Sequence, residues 1–152
     1  ELGGAEKYLD IIGVNYYFDN QWRHPSGERV FPGHKTYVSF NQILQKFYER
    51  YERPILIAET GIEGRARRNW FRYICEEAKI AQKNGVPVEG ICLYPIVNHP
   101  GWDDNRHCYN GLWDYINKKN GRKIYSPLAQ EIKLQAENFK AYSQSAKFSF
   151  KF

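Results

Sequence analysis

Methionine is missing altogether from the 152 residues, the initiator included, so the expectation is that the biological chain starts upstream of Glu1. The opening residues, ELGGAE, lack the charged-then-apolar layout of a signal peptide. No apolar run approaches the ~20 residues of a membrane-spanning helix, which argues against a bilayer crossing. Cysteine is scarce: Cys75, Cys92 and Cys108 form no CxxC pair, and an odd, widely spaced set is no disulfide framework. Reduced thiols fit a cytoplasmic protein, and Cys75 and Cys92, both inside apolar runs, read as small core residues. No GxGxxG and no Walker loop follows any apolar run, which removes the commonest nucleotide-binding signatures. With 42% apolar and 26% charged residues the chain is neither low-complexity nor collagen-like, and its length suits one domain.

Neither sign of charge dominates: 22 basic against 17 acidic side chains leave a net +5. The densest basic clusters are Arg65, Arg67 and Arg68 with Arg72, and Lys118, Lys119, Arg122 and Lys123. They read as solvated helix ends and a lysine-rich turn, not as the continuous stripe of a nucleic-acid binder. Aromatic residues, by contrast, are abundant, with twelve tyrosines and four tryptophans. Each combines a flat apolar face with a polar tip, which suits the C–H faces and hydroxyl rim of a sugar as well as ordinary core packing.

Hydrophobic patterning divides the chain into strand, loop and helix, three times over. Residues 8–17 (YLDIIGVNYY), 54–59 (PILIAE) and 86–97 (VPVEGICLYPIV) are apolar, β-branched runs and read as strands. A long loop rich in Asp, Asn, Pro and Gly covers 19–32. Residues 40–51 place Phe40, Ile43, Leu44, Phe47 and Tyr51 on one helical face, with Ser39 or Asn41 as cap. Residues 67–83 place Trp70, Tyr73, Ile74, Ala78 and Ala81 on another, and Asn84-Gly85 stops that helix. A polar loop covers 98–110, and a last helix is expected over 128–142 behind Ser126-Pro127.

Strands that are apolar throughout are expected to be buried on both faces, as in a parallel sheet covered by helices. Each run ends in polar or aromatic residues: Asn15, Tyr16 and Tyr17; Glu59; and Tyr94 through Trp102. Active groups at the C-terminal ends of parallel strands are the layout of barrel enzymes. Glu59 stands out, because a carboxylate closing an apolar strand has little structural reason to be there. At a barrel mouth such a group can attack an electrophilic sugar carbon; pairing with an arginine is the plainer alternative.

The order DIIGVNYY (10–17), PILIAETG (54–61) and GVPVEG (85–90), followed by NGLWDY (110–115), resembles the last three βα units of the β-glucosidase family of retaining (β/α)8 glycosidases. The resemblance implies an α/β fold that is part of a TIM barrel, strands 6–8 with a C-terminal helix, over residues 1–142, with 143–152 as a tail. It implies parallel strands near 10–17, 54–59 and 88–97 with their C-terminal ends on one side. It implies that Glu59 is the nucleophile and that Tyr17 hydrogen-bonds and aims it. Asn15 matches a neighbouring polar residue on the same strand, and Tyr94 stands where the family has a tryptophan that floors the sugar site. Trp102 and Asp103 resemble the loop that holds the sugar's outer hydroxyls. Thr60 replaces the usual Asn after the nucleophile, and Tyr94-Pro95 replaces Trp-Ser, which marks a divergent branch.

The family's acid/base motif, Asn-Glu-Pro at the end of strand 4, has no counterpart; Glu63, Glu28 and Asp103 are the loop carboxylates that could substitute. Three βα units cannot close an eight-stranded barrel. The expectation is therefore a piece of a larger enzyme, with about 250 residues elsewhere, inactive alone and needing the rest of the barrel or self-association. Carbohydrate is the expected ligand, with no cofactor, nucleic acid or membrane partner. Two rivals remain. One is a catalytically inactive carbohydrate-binding or scaffold protein using the same rings. The other is a metal site, since His99, Asp103, Asp104, His107 and Cys108 crowd one loop, though without zinc-ligand spacing.

Overall fold

The computed structural model describes residues 4–145. After a 3-10 turn (Glu6–Tyr8), strand β1 (Ile12–Asn15) leads through a long loop into helix α1 (Phe40–Tyr51). Strand β2 (Ile55–Thr60), a second 3-10 turn (Gly64–Ala66) and helix α2 (Arg67–Lys83) follow, then strand β3 (Val88–Leu93). The connection to the last helix holds two small ladders: β4 (His99–Pro100) with β5 (His107–Cys108), and β6 (Trp113–Ile116) with β7 (Arg122–Ile124). Helix α3 spans Ser126–Ser145. The main sheet is parallel, in the order β1-β2-β3, so the C-terminal ends of its strands lie on one side.

The core forms where the helices cover one face of this sheet. Val14, Ile55, Ile57 and Val88 from the strands pack with Phe40 and Leu44 of α1 and with Ile74, Ala78 and Ala81 of α2. Phe40, Leu44, Ile55, Ile57 and Ile74 are fully buried, each contributing roughly 1.5–3 kcal/mol of hydrophobic stabilisation. A second face of α2, Phe71 and Cys75, meets Leu128 of α3; burial pushes the Cys75 thiol up to about 12. Helix α2 ends in a Schellman motif: Gly85 takes φ 88, Val86 N–H donates to Ala81 O and Gly85 N–H to Gln82 O.

Helix α1 is capped from a distance. Ser39 holds the N-cap position without a capping side-chain bond. Instead, the Asn41 backbone N–H and its Nδ2 donate to the Glu77 carboxylate of α2, at 2.8 and 2.7 Å. A carboxylate on the exposed N–H groups of a helix start is favourable both as acceptor and against the helix dipole. Between α2 and α3, Glu131 is 1% exposed and accepts from Arg68, Arg72 and Gln135. The Arg72 bond, aided by Gln135 and Arg68, draws its carboxyl down to about 2. The basic cluster is thus largely engaged: Arg68 and Arg72 hold Glu131, and Arg67 is buried.

Several expectations change. The strands are not buried on both faces: Gly13, Asn15 and Cys92 are exposed, because among the described residues the helices lie on one side only. Cys92 therefore is not a core residue. Tyr8 belongs to the 3-10 turn, not to the first strand, and the third strand stops at Leu93 instead of running to 97. Tyr51 is exposed at the end of α1. The β6–β7 hairpin is an element that the sequence reading does not contain: its strands are only four and three residues long, and its ladder is irregular between Trp113 and Ile116. Helix α3 begins at Ser126 and carries residues 143–145 of the expected tail; residues 146–152 lie outside the described residues.

Candidate functional site

The site grows from a change of phase in β2. Strict alternation would place Glu59 on the helix face with Ile55 and Ile57. The register to β1 runs Val14↔Ile57 and then Asn15↔Glu59, skipping Ala58. That extra residue, a β-bulge, inverts the alternation. Thr60 is consequently the buried side chain, and Glu59 turns to the open face beside Tyr17, which follows Gly13 and Asn15 in the β1 alternation. The Tyr17 hydroxyl donates to Glu59 Oε2 at 2.8 Å. Burial, then the bond to Glu59, raise the Tyr17 phenol well above the usual tyrosine range, so it remains a donor at any physiological pH.

Around this pair, Asn15 is exposed and opposite Glu59 in the register. Tyr94, half-buried, follows β3, and its N–H donates to Thr60 O at 2.9 Å. That bond sets Tyr94 beside the end of β2, next to the residue that follows Glu59. The strand ends approach closely at Gly61, where a Cβ would collide with the Tyr94 carbonyl oxygen. Gly61→Ala should therefore cost about 1–3 kcal/mol through overpacking against backbone. An unchanged midpoint in urea unfolding would show that the loop after β3 yields without strain.

Trp102 and Asp103 are not packed over Glu59. Both stand in solvent on the turn joining β4 to β5, with Trp102 84% exposed. The neighbouring residues have structural partners. His99 Nδ1 lies 2.7 Å from Pro100 O and Nε2 lies 3.2 Å from Asn110 Nδ2, while the His107 ring packs on Tyr115. The Cys108 thiol donates to Arg106 O. Among the described residues, no group of three or more His, Cys, Asp or Glu is arranged to hold a metal ion. Of the substitute carboxylates, Glu63 is gripped by Arg106 at 2.7 and 3.0 Å, which holds its carboxyl below the usual range and leaves it deprotonated. Glu28 pairs with Arg23 on the long loop.

The residues that brace the site make bonds that their sequence readings as strand end, helix face or basic cluster do not indicate. Thr60 Oγ1 donates to Tyr16 O at 2.8 Å and accepts from Trp70 Nε1 at 2.9 Å. The Tyr16 hydroxyl accepts from Gln21 and joins Tyr37, which joins Tyr73, tying the long loop to α2. Asn98 is buried, donates to Asp114 and accepts from Gly111 N–H, while Arg67 donates to Gly64 O and Gly111 O with its guanidinium 3.6 Å from the Tyr125 ring centroid. For Tyr16, Thr60 and Asn98 the sequence signal is a polar side chain inside or next to an apolar run.

No protein-family model matches the chain. Among solved structures it is similar to a family 1 β-glucosidase from Thermotoga maritima, 18% identical, over 85% of this chain and 35% of that one, with a TM-score of 0.60. It is similar to the β-glycosidase from the hyperthermophile Thermosphaera aggregans, 18% identical, over 85% and 32%, with a TM-score of 0.64. A hyperthermophilic β-glucosidase mutant is 22% identical, over 83% and 34%, with a TM-score of 0.62. At these identities the likeness is one of fold: an α/β arrangement shared with glycosidases. The chain spans about a third of the length of the solved structures it matches.

Proposed function

We propose that the chain is the nucleophile-bearing part of a retaining glycoside hydrolase of β-glucosidase type, strands 6–8 of a (β/α)8 barrel. The observation that carries this reading is the Tyr17–Glu59 pair, 2.8 Å apart at the C-terminal ends of adjacent parallel strands. A glycosyl-accepting carboxylate needs one oxygen held and the other directed at the anomeric carbon. A protonated phenol that holds Oε2 leaves Oε1 for that attack. The C–O bond to the leaving group breaks as the Glu59 ester forms, an acid from the rest of the barrel protonates the departing oxygen, and water then hydrolyses the ester. Asn15 and Tyr94 flank the reacting carbon, as hydrogen-bonding and stacking groups.

The acid belongs outside these residues. Glu63 and Glu28 are committed to arginines, and Asp103 stands in solvent. Among the described residues β1 and β3 have no strand on their outer edges, and these edges and the open face call for the same completion. A groove of about 520 Å³ along β3, lined by Val86, Val88, Ile91, Ile132, Ala136 and Phe139, offers apolar surface to whatever joins there. The partners are thus the remaining barrel and a carbohydrate. Among the described residues, no helix is long and apolar enough to cross a membrane.

A 2-deoxy-2-fluoroglycoside with an activated leaving group tests the reading. Added to the complete barrel, it should trap the ester and shift the mass of the peptide containing Glu59. Labelling of a different residue would refute the assignment. Tight sugar binding with no label and no turnover would favour the inactive carbohydrate-binding alternative.

A further inference from the structure

The bulge that turns Glu59 towards Tyr17 has to be held, because an extra residue in a strand otherwise relaxes into regular pairing with every later side chain reversed. The holding contacts are specific. Tyr16 N–H donates to Glu59 O at 2.9 Å, and Thr60 Oγ1 donates back to Tyr16 O at 2.8 Å, so the residues beside Tyr17 and Glu59 are cross-bonded. Thr60 Oγ1 in turn accepts the Trp70 indole N–H at 2.9 Å, which ties the bulge to α2. Trp70 is itself seated between Tyr16 and Tyr73, with ring centroids 5.9 and 5.5 Å away. Thr60 is 0% exposed, so its hydroxyl has no water to replace these partners. A valine would fit the same space and leave both the Trp70 donor and the Tyr16 carbonyl unmatched.

We infer that Thr60, anchored by Trp70, is a positioning residue that keeps the Glu59 carboxylate on the Tyr17 hydroxyl. This inference rests on the proposed role of Glu59 for its catalytic consequence, but not for its geometric one. Both residues act through the backbone of β1 and β2; neither touches the reacting atoms. A misplacement of about 1 Å at a reacting group costs on the order of 10²-fold in rate, so loss of the latch reads out in turnover before binding.

The experiment compares Thr60→Val, Thr60→Ser and Trp70→Phe in two settings. In the 152-residue chain, the 13Cζ resonance of Tyr17 at neutral pH reports its hydrogen bond. It should move in Thr60→Val and Trp70→Phe and stay near the parental position in Thr60→Ser. In the complete barrel, Thr60→Val should lower kcat by about 10- to 100-fold with KM changed less than about threefold, and Thr60→Ser should recover most of the rate. Should Thr60→Val fail to fold, Trp70→Phe, which keeps an aromatic ring but loses the N–H together with part of the indole's volume, carries the test beside Thr60→Ser, which keeps the hydroxyl. An unmoved Tyr17 resonance, or folded variants with parental kcat, would overturn the inference. So would a serine variant as impaired as the valine one. If the parental barrel takes no fluorosugar label while the Tyr17 resonance still follows the hydroxyl at position 60, the glycosidase reading fails and the latch stands.

Discussion

Replacing Glu59 with Gln in the complete barrel is expected to reduce turnover of aryl glycosides by ~10³-fold or more, since the covalent step disappears. The amide is isosteric, and its carbonyl oxygen still accepts from Tyr17, so the local geometry persists. Melting should therefore move by no more than about 2 °C. Glu59→Gly opens a gap where the carboxylate stood, and azide entering that gap should restore turnover of an activated substrate with inverted configuration. Tyr17→Phe should cost less, about 10- to 100-fold in kcat, because it frees the carboxylate without removing it. Parental rates in Glu59→Gln would eliminate this residue as nucleophile.

The second large effect concerns stability. Glu131→Ala is expected to destabilise the chain by about 2–3 kcal/mol, lowering its melting temperature by ~5–10 °C. This is below the full cost of breaking a buried ion pair, because Arg68 and Arg72 reach solvent, where their charges are screened. Gln135 also loses its acceptor, and Lys79, which donates to Gln135 Oε1 at 2.6 Å, loses a fixed partner. The pH dependence has a definite sign. The Glu131 carboxyl falls from its ordinary 4.5 to about 2 on folding. Its contribution is therefore fully present above pH 4.5 and is lost as pH falls through 2. The stability gap between parent and Glu131→Gln, from urea unfolding, should be widest near neutrality and close progressively below pH 4.5. A gap that stays constant down to pH 2 would mean that the arginines do not hold the charged form.

What the sequence determined by itself is local and periodic. The bounds of α1 and α2 follow from apolar spacing at helical period, and the end of α2 from Asn84-Gly85, because both are written within a few consecutive residues. The parallel order of β1, β2 and β3 follows from apolar runs separated by helices. Glu59 drew notice as a carboxylate closing such a run, and Tyr17 through the family resemblance. What only the tertiary structure decided are pairings between distant residues and the phase of a strand. Glu77 caps α1 from 36 positions away, and Glu131 binds Arg68 from 63 away, separations at which sequence spacing carries no geometric information. Exposure of Trp102 and Cys92 depends on what covers each face, which no local pattern records. The skipped Ala58 decides which of Glu59 and Thr60 is buried. Read by strict alternation, the same six residues would bury the carboxylate, because a bulge is set by neighbouring strands and by Trp70 on α2, not by the strand's own composition.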